Sequence, residues 1–291
     1  MTVRKILLIG ADGQLGNDIC KVLDKKELIP LTISDIDITD KDAVSRIIGR
    51  HKPDVVINTA AYTNVDGCED HDKEAFDVNA FGVKNVCLAC KENDSVLVHI
   101  STDYVFDGKK GKPYTEADIP NPKTVYGISK LAGEEYVRSM LKKYFLIRTC
   151  GLYGEKGSMG KGGGNFVESM LKLAEQKPVI RVVGDQVVSP TYTLDLARKM
   201  SQLIRTENYG LYHIVNKGSC SWYEFAKKIF ELTGAKVKVE SATTDEFRSK
   251  ARRPAYSVLD NSNLRKLGLD ELRTWDEALR AYLEEKKHIN A

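Results

Sequence analysis

Arg4-Lys5-Ile6-Leu7-Leu8-Ile9-Gly10-Ala11-Asp12-Gly13-Gln14-Leu15-Gly16 is the stretch whose reading decides the fold. An apolar run ends in three glycines spaced Gly-x-x-Gly-x-x-Gly, and residues 14–23 then show helical periodicity. Strand, glycine turn and helix in this order suit a phosphate. Glycines let backbone N–H groups approach a pyrophosphate, and the helix N-terminus adds a favourable dipole. The spacing is looser than the Gly-x-Gly-x-x-Gly fingerprint, so its placement between strand and helix carries the reading. A glycine-rich turn with no ligand is the bland alternative.

Outward from this turn the chain keeps alternating. Residues 28–33, 55–57, 96–100 and 144–148 read as strands, and 40–50, 74–91 and 126–143 as helices. Continuous apolar strands between amphipathic helices require a parallel sheet covered on both faces, an α/β doubly wound (Rossmann) fold. After Arg148 the rhythm changes. Residues 151–164 hold seven glycines together with Lys156 and Lys161, which predicts a mobile loop. A helix over 165–175, a strand over 179–183, a helix over 194–204 and a strand over 211–215 follow. Residues 221–232, 236–240 and two short terminal helices complete a smaller cap, and the terminal Glu284-Glu285-Lys286-Lys287 reads as a solvated helix end. The expected division is a dinucleotide-binding domain over 1–150, with segments near 185–215 returning to it, and a mainly substrate-binding domain over 151–291.

Composition narrows the function classes. The 291 residues are 42% hydrophobic and 29% charged, ordinary for a soluble globular protein. A net charge of +3 with no long basic run argues against a nucleic-acid partner. Only four apolar residues separate Lys5 from Gly10, too few for a membrane span or signal core. Six scattered cysteines without a disulfide pattern suggest a reducing cytoplasm. Cys87 and Cys90 form a Cys-x-x-Cys in a helical segment with no second ligand pair. They read as small core residues, and no metal site is expected.

The chemistry gathers around Tyr126 and Lys130, with Ser101-Thr102-Asp103-Tyr104 closing an apolar run upstream. Four residues apart on a helix, the phenol and the amine share one face. An ammonium close to a phenol favours the phenolate, so the sequence predicts a lowered tyrosine pKa and proton transfer near neutral pH. The competing reading is an exposed helical pair. For the cofactor, the end of the second strand offers Thr32 and Ser34 in place of the ribose-binding acid of NAD enzymes. Asp35 and Asp37 follow, and no arginine waits for a 2′-phosphate. NADPH or NADH is expected, with a lean to NADPH.

Glycine turn, Ser-Thr-Asp at a strand end and Tyr-x-x-x-Lys occur in the order of the extended short-chain dehydrogenases/reductases. Within that class the chain resembles the dTDP-4-dehydrorhamnose reductase family along nearly its whole length. The matching segments include Asn58-Thr-Ala-Ala-Tyr-Thr-Asn-Val-Asp66, Ser101-Thr-Asp-Tyr-Val-Phe-Asp-Gly108, Arg148-Thr-Cys-Gly-Leu-Tyr-Gly154, Asp185-Gln-Val-Val-Ser-Pro-Thr-Tyr-Thr193 and Arg253-Pro-Ala-Tyr256. The resemblance implies reduction of the 4-keto group of a nucleotide-linked 6-deoxyhexose. It places Gly10, Gly13, Gln14, Leu15 and Gly16 at the pyrophosphate turn, Asp37 and Ile38 against the adenine, and Ala61, Tyr62 and Thr63 on the path to the nicotinamide. Thr102 would bind the substrate carbonyl, Tyr126 would donate the proton, and Lys130 would hold the nicotinamide ribose. Val65, Asp103, Tyr104, Asn165 and Arg253 would touch the substrate. A nucleotide sugar is thus the expected small partner, and a homodimer is compatible with the family.

One departure bears on the sugar. Some relatives carry a tryptophan where this chain has Gly151, so the resemblance transfers the wall of the sugar site to Leu152 or Tyr153. Sugar-nucleotide dehydratases follow the threonine with Asp-Glu, whereas Tyr104 stands at the second position here, which argues against elimination. A 4-epimerase holding NAD permanently, and a non-catalytic subunit like the regulatory subunit of methionine adenosyltransferase, stay open as alternatives.

Overall fold

The computed structural model describes residues 4–157, 163–247 and 249–290. Six strands, β1 (Ile6–Ile9), β2 (Leu28–Leu31), β3 (Val55–Asn58), β4 (Val96–Thr102), β5 (Tyr144–Thr149) and β6 (Gly210–His213), form one parallel sheet in the order β6-β5-β4-β3-β1-β2. Period-two alternation splits the strands between two cores. Ile6 and Leu8 pack with Leu15 and Ile19 of the first helix and with Leu196 and Met200 of Thr193–Leu203. Leu7 and Ile9 pack with Val44 and Ile48 of Lys41–His51 and with Val86 of Val83–Glu92. This is the doubly wound sheet expected from the alternating pattern. Its strand order reverses between β1 and β3, the position where such sheets open a crevice at the strand carboxyl ends.

Several elements differ from the sequence reading. The expected helix 74–91 is Asp72–Phe76, a π-helical turn Asp77–Gly82, then Val83–Glu92. The π-turn buries Asn79, and Gly82 lies against Ile38, whose Cγ1 is 2.7 Å from where a Cβ would stand. The expected helix 126–143 is Val125–Met140, because Leu141 takes extended backbone and packs into the second core. β2 stops at Leu31, where the Asp35 carboxylate accepts from the Thr32 N–H and hydroxyl and turns the chain. Cys87 and Cys90 are core residues, as expected, and burial pushes the Cys87 thiol up to about 12. Part of the expected mobile loop, residues 158–162, lies outside the described residues.

Beyond β5 a third core forms around Tyr153, Tyr192, Phe225 and Tyr282, with the Tyr153 and Tyr192 rings stacked at 5.7 Å. A parallel pair, Val179–Val183 with Lys238–Ala242, and the helices Phe166–Gln176, Trp222–Thr233 and Trp275–Glu285 enclose it. The C-terminal helix end is anchored as well as solvated, since Glu285 bonds the Lys21 ammonium and the Tyr192 hydroxyl. Among the described residues no helix is long and apolar enough to cross a membrane.

Candidate active site

A cleft of about 1080 Å³ opens at the carboxyl ends of β1, β3 and β4 and runs on to the third core. At its start, Gly10 has φ +83°, and a Cβ there would meet Thr59 Oγ1 at 2.6 Å. Gly16 sits under the turn, where a Cβ would lie 2.0 Å from the Gly10 carbonyl oxygen. Glycine at these two positions lets β1, β3 and the first helix converge. The helix Gln14–Val22 begins at Gly13 without a side-chain cap, so its first N–H groups face the cleft, the donor set a pyrophosphate needs. Gly10, Gly13, Gln14 and Leu15 line the cleft. Gly16 contributes packing beneath it.

Asp37 and Ile38 line the same end, and Asn85 Nδ2 holds the Ile38 carbonyl at 3.0 Å. Asp12 lines it too, so this end carries two carboxylates although the last residue of β2 is not acidic. Ala61, Tyr62 and Thr63 follow β3 along the cleft. Tyr62 is clamped by Asn79, whose Oδ1 accepts from the Tyr62 N–H (2.9 Å) and whose Nδ2 donates to the Tyr62 carbonyl (3.1 Å). Nothing in the sequence flagged Asn79, because only the π-turn directs it inward.

The Tyr126 helix starts where it does because Thr124 caps it, accepting from the Gly127 N–H at 3.0 Å. A Cβ on Gly127 would stand 2.2 Å from the Tyr104 carbonyl, so the helix start lies directly on the segment after β4. That contact brings Tyr126 beside Thr102, whose hydroxyl acts on the Tyr126 phenol. The rings of Tyr104 and Tyr126 meet edge-on at 5.5 Å. Deeper in the helix, Glu134 receives Arg148 Nε at 2.9 Å and Nη2 at 2.6 Å, and the Ser101 hydroxyl at 2.6 Å. Both partners of this ion pair are fully buried. It fastens the helix to β4 and β5 beside the cleft.

The electrostatics correct the pKa expectation. Lys130 is buried with its amine donating to the Ile100 carbonyl (2.6 Å), and burial pushes it down to about 8 against the opposing pull of Glu134. Burial likewise holds the Tyr126 hydroxyl well above its ordinary value, with the Thr102 hydrogen bond the first opposing influence. Proximity in sequence suggested a phenolate, but loss of solvent outweighs it. A neutral phenol is the form that gives a proton.

The remaining expected residues are placed as follows. Val65 and Tyr104 line the cleft. Arg253 reaches it while paired to Asp66 (2.6 Å) and to the Tyr104 hydroxyl (3.1 Å), so Asp66 joins the site as a residue the sequence reading missed. Asn165 lines the cleft too, while it caps Phe166–Gln176 through the Glu168 N–H and donates to the Gly154 carbonyl and the Tyr282 hydroxyl. Asp103 is buried, with Oδ1 3.0 Å from Thr102 Oγ1 and Oδ2 accepting from Cys150 Sγ at 3.1 Å. Gly151 and Leu152 line the cleft, but Tyr153 is fully buried in the third core and supplies no sugar wall. Phe166 and Trp222, 4.7 Å apart, add aromatic surface farther along.

A glycine turn at the switch point of the sheet, with threonine, tyrosine and lysine converging beside it, is the arrangement of an extended short-chain dehydrogenase/reductase. The RmlD substrate binding domain family matches residues 4–288. The chain is 45% identical to the spore coat polysaccharide biosynthesis protein SpsK of Bacillus subtilis, over 97% of this chain and 98% of that protein. It is similar to the solved dTDP-4-dehydrorhamnose reductase of Clostridium acetobutylicum, at 46% identity and a TM-score of 0.93, covering 97% and 99% of the two chains. The dTDP-4-dehydrorhamnose reductase of Bacillus anthracis, solved in complex with NADP, gives 40% identity and a TM-score of 0.93 over the same shares. The chain belongs to the dTDP-4-dehydrorhamnose reductase family.

Proposed function

We propose that the protein reduces the 4-keto group of a nucleotide-linked 6-deoxyhexose, with dTDP-4-dehydro-L-rhamnose giving dTDP-L-rhamnose as the leading case. The observation that carries this is the buried Thr102 hydroxyl beside the Tyr126 phenol, facing one cleft with the uncapped first helix. A reduced nicotinamide dinucleotide, NADPH or NADH, supplies the hydride when bound. Gln14 and Leu15 would present N–H groups to its pyrophosphate, with Gly13 lining the turn and its own N–H held by the Gly10 carbonyl. Asp37 and Ile38 would border its adenine, and Ala61, Tyr62 and Thr63 would flank the nicotinamide. Lys130 holds the adjoining ribose.

Tyr126, kept neutral by burial, donates its proton to the ketone oxygen as charge develops there, and Thr102 holds that oxygen in place. Arg253 meets the diphosphate, with Asp66 and Tyr104 fixing its guanidinium. Val65 and Tyr104 border the sugar, and Leu152 replaces the tryptophan wall that Gly151 lacks.

The test is an assay of purified protein with dTDP-4-dehydro-L-rhamnose, run separately with NADPH and NADH. Tyr126→Phe should lower kcat by about 10²–10⁴-fold while dinucleotide affinity stays near wild type. Near-normal turnover in that variant rejects the assignment. A dinucleotide that survives purification and does not exchange points instead to a 4-epimerase.

A further inference from the structure

Beside Thr102, on the cleft wall, lies a polar cluster that the reduction scheme leaves unused: Asp103, Cys150 and Ser257, all buried but for the edge that lines the cleft. Thr102 Oγ1 has one proton to donate and two lone pairs. It accepts from the Tyr104 N–H at 3.2 Å, which fills one lone pair. It also lies 3.0 Å from Asp103 Oδ1, beside the Tyr126 phenol. An ionised Asp103 can only accept, so it takes the single Thr102 proton. Thr102 then has no donor to offer a ketone. A neutral Asp103 fills the second lone pair, and the Thr102 proton turns outward.

The surroundings indicate where the acid proton sits. Cys150 Sγ donates to Oδ2 at 3.1 Å, with Ser257 Oγ 3.7 Å from that thiol, so Oδ2 is the carbonyl-like oxygen. Oδ1, facing Thr102, is the oxygen free to carry a proton. We propose that Asp103 is a positioning residue acting as the neutral acid, whose proton on Oδ1 orients the Thr102 hydroxyl toward the substrate oxygen. This rests on the reading above that Thr102 and Tyr126 meet the ketone. No bond is made or broken at Asp103, and its proton stays on Oδ1 throughout.

Burial raises the Asp103 pKa, and the hydrogen bonds of Ser257, Cys150 and Thr102 oppose that rise. The titratable groups facing it are Tyr104, Tyr126 and Cys150, and the Arg253 cation is one residue farther, on Tyr104. The sign follows. The competent form is protonated, so kcat falls as pH rises through the Asp103 pKa. Lys130 contributes a separate limb near pH 8.

The experiment combines Asp103→Asn with infrared spectroscopy of the wild-type protein. An asparagine at this position donates from its amide to Thr102 and cannot titrate. Asp103→Asn should lower kcat by less than about tenfold and abolish the alkaline limb that Asp103 contributes. Thr102→Val, which removes the donor itself, should lose about 10²–10³-fold. Wild type should show a protonated-carboxyl C=O band at the pH of maximal kcat that is missing in Asp103→Asn. If the variant does not fold, loss of that band in wild type must coincide with the kcat limb. An ionised Asp103 at the optimum, a limb that persists in Asp103→Asn, or a loss as deep as that of Thr102→Val overturns the inference while the reductase reading stands. Failure to reduce any ketosugar overturns both.

Discussion

Glu134→Gln probes the element that sets the geometry of the site. In the wild-type protein the Glu134 carboxylate takes both Arg148 nitrogens and the Ser101 hydroxyl in full burial, with Arg138 Nη2 a further 3.6 Å from Oε2. Glutamine keeps one acceptor oxygen and turns an N–H donor toward the Arg148 fork. Arg148 is then a buried cation without a counter-charge, and its remaining neighbours, the Phe106 ring at 5.1 Å and neutral His213, cannot replace a carboxylate. Breaking such a pair costs about 3–5 kcal/mol. Against a total stability of roughly 5–15 kcal/mol, that lowers Tm by about 10 °C.

The same change reaches the active site, because Glu134 is what opposes the burial of the Lys130 ammonium. Without it, Lys130 titrates below about 8, and the alkaline limb of kcat/KM moves to lower pH. Urea unfolding and a pH–rate profile measure both effects. Removing the two charges together, in Glu134→Leu with Arg148→Met, should recover most of the stability, since a buried pair replaced by apolar groups is often neutral. A single variant within about 1 kcal/mol of wild type, with its limb unmoved, would refute the reasoning.

Three further outcomes follow from the same geometry. Gly16→Ala puts a methyl group 2.0 Å from the Gly10 carbonyl and 2.9 Å from Ala11 Cα, both backbone atoms that cannot yield freely. It should cost about 1–3 kcal/mol and weaken dinucleotide binding in calorimetry, and unchanged affinity would contradict the packing argument. Asn79→Ala strips both backbone partners from Tyr62. The dinucleotide KM should rise about tenfold with kcat little changed, the cost of one or two unmet hydrogen bonds. For Lys130, the folded value near 8 lies below the ordinary 10.5, so between those values the unfolded chain binds more protons and stability increases with pH. Lys130→Met should remove that slope from pH-dependent unfolding curves, and a slope that persists would assign it to another group.

Much of the fold was legible because it rests on local pattern. The alternation of apolar runs and amphipathic helices specifies a covered parallel sheet, and the glycines after β1 mark where its strands open. Tyr126 and Lys130 were legible for the same reason, since four residues on a helix always share a face. What the sequence reading missed lies far along the chain from its partner: Asp66 on Arg253, Asn79 on Tyr62, and Cys150 on Asp103. No spacing rule links residues that only chain crossing brings together. Tyr153 was misplaced for a related reason, because its neighbours in sequence line the cleft while its own ring faces the third core.

The sequence by itself determined the sheet, the glycine turn after β1 and the shared helix face of Tyr126 and Lys130, all of them consequences of short-range periodicity. Tertiary structure decided the protonation states. The lysine next to Tyr126 argued for a phenolate, yet burial of the whole group keeps the phenol neutral and lowers the lysine instead. Desolvation depends on how many protein atoms surround a charge, and those atoms arrive from every part of the chain.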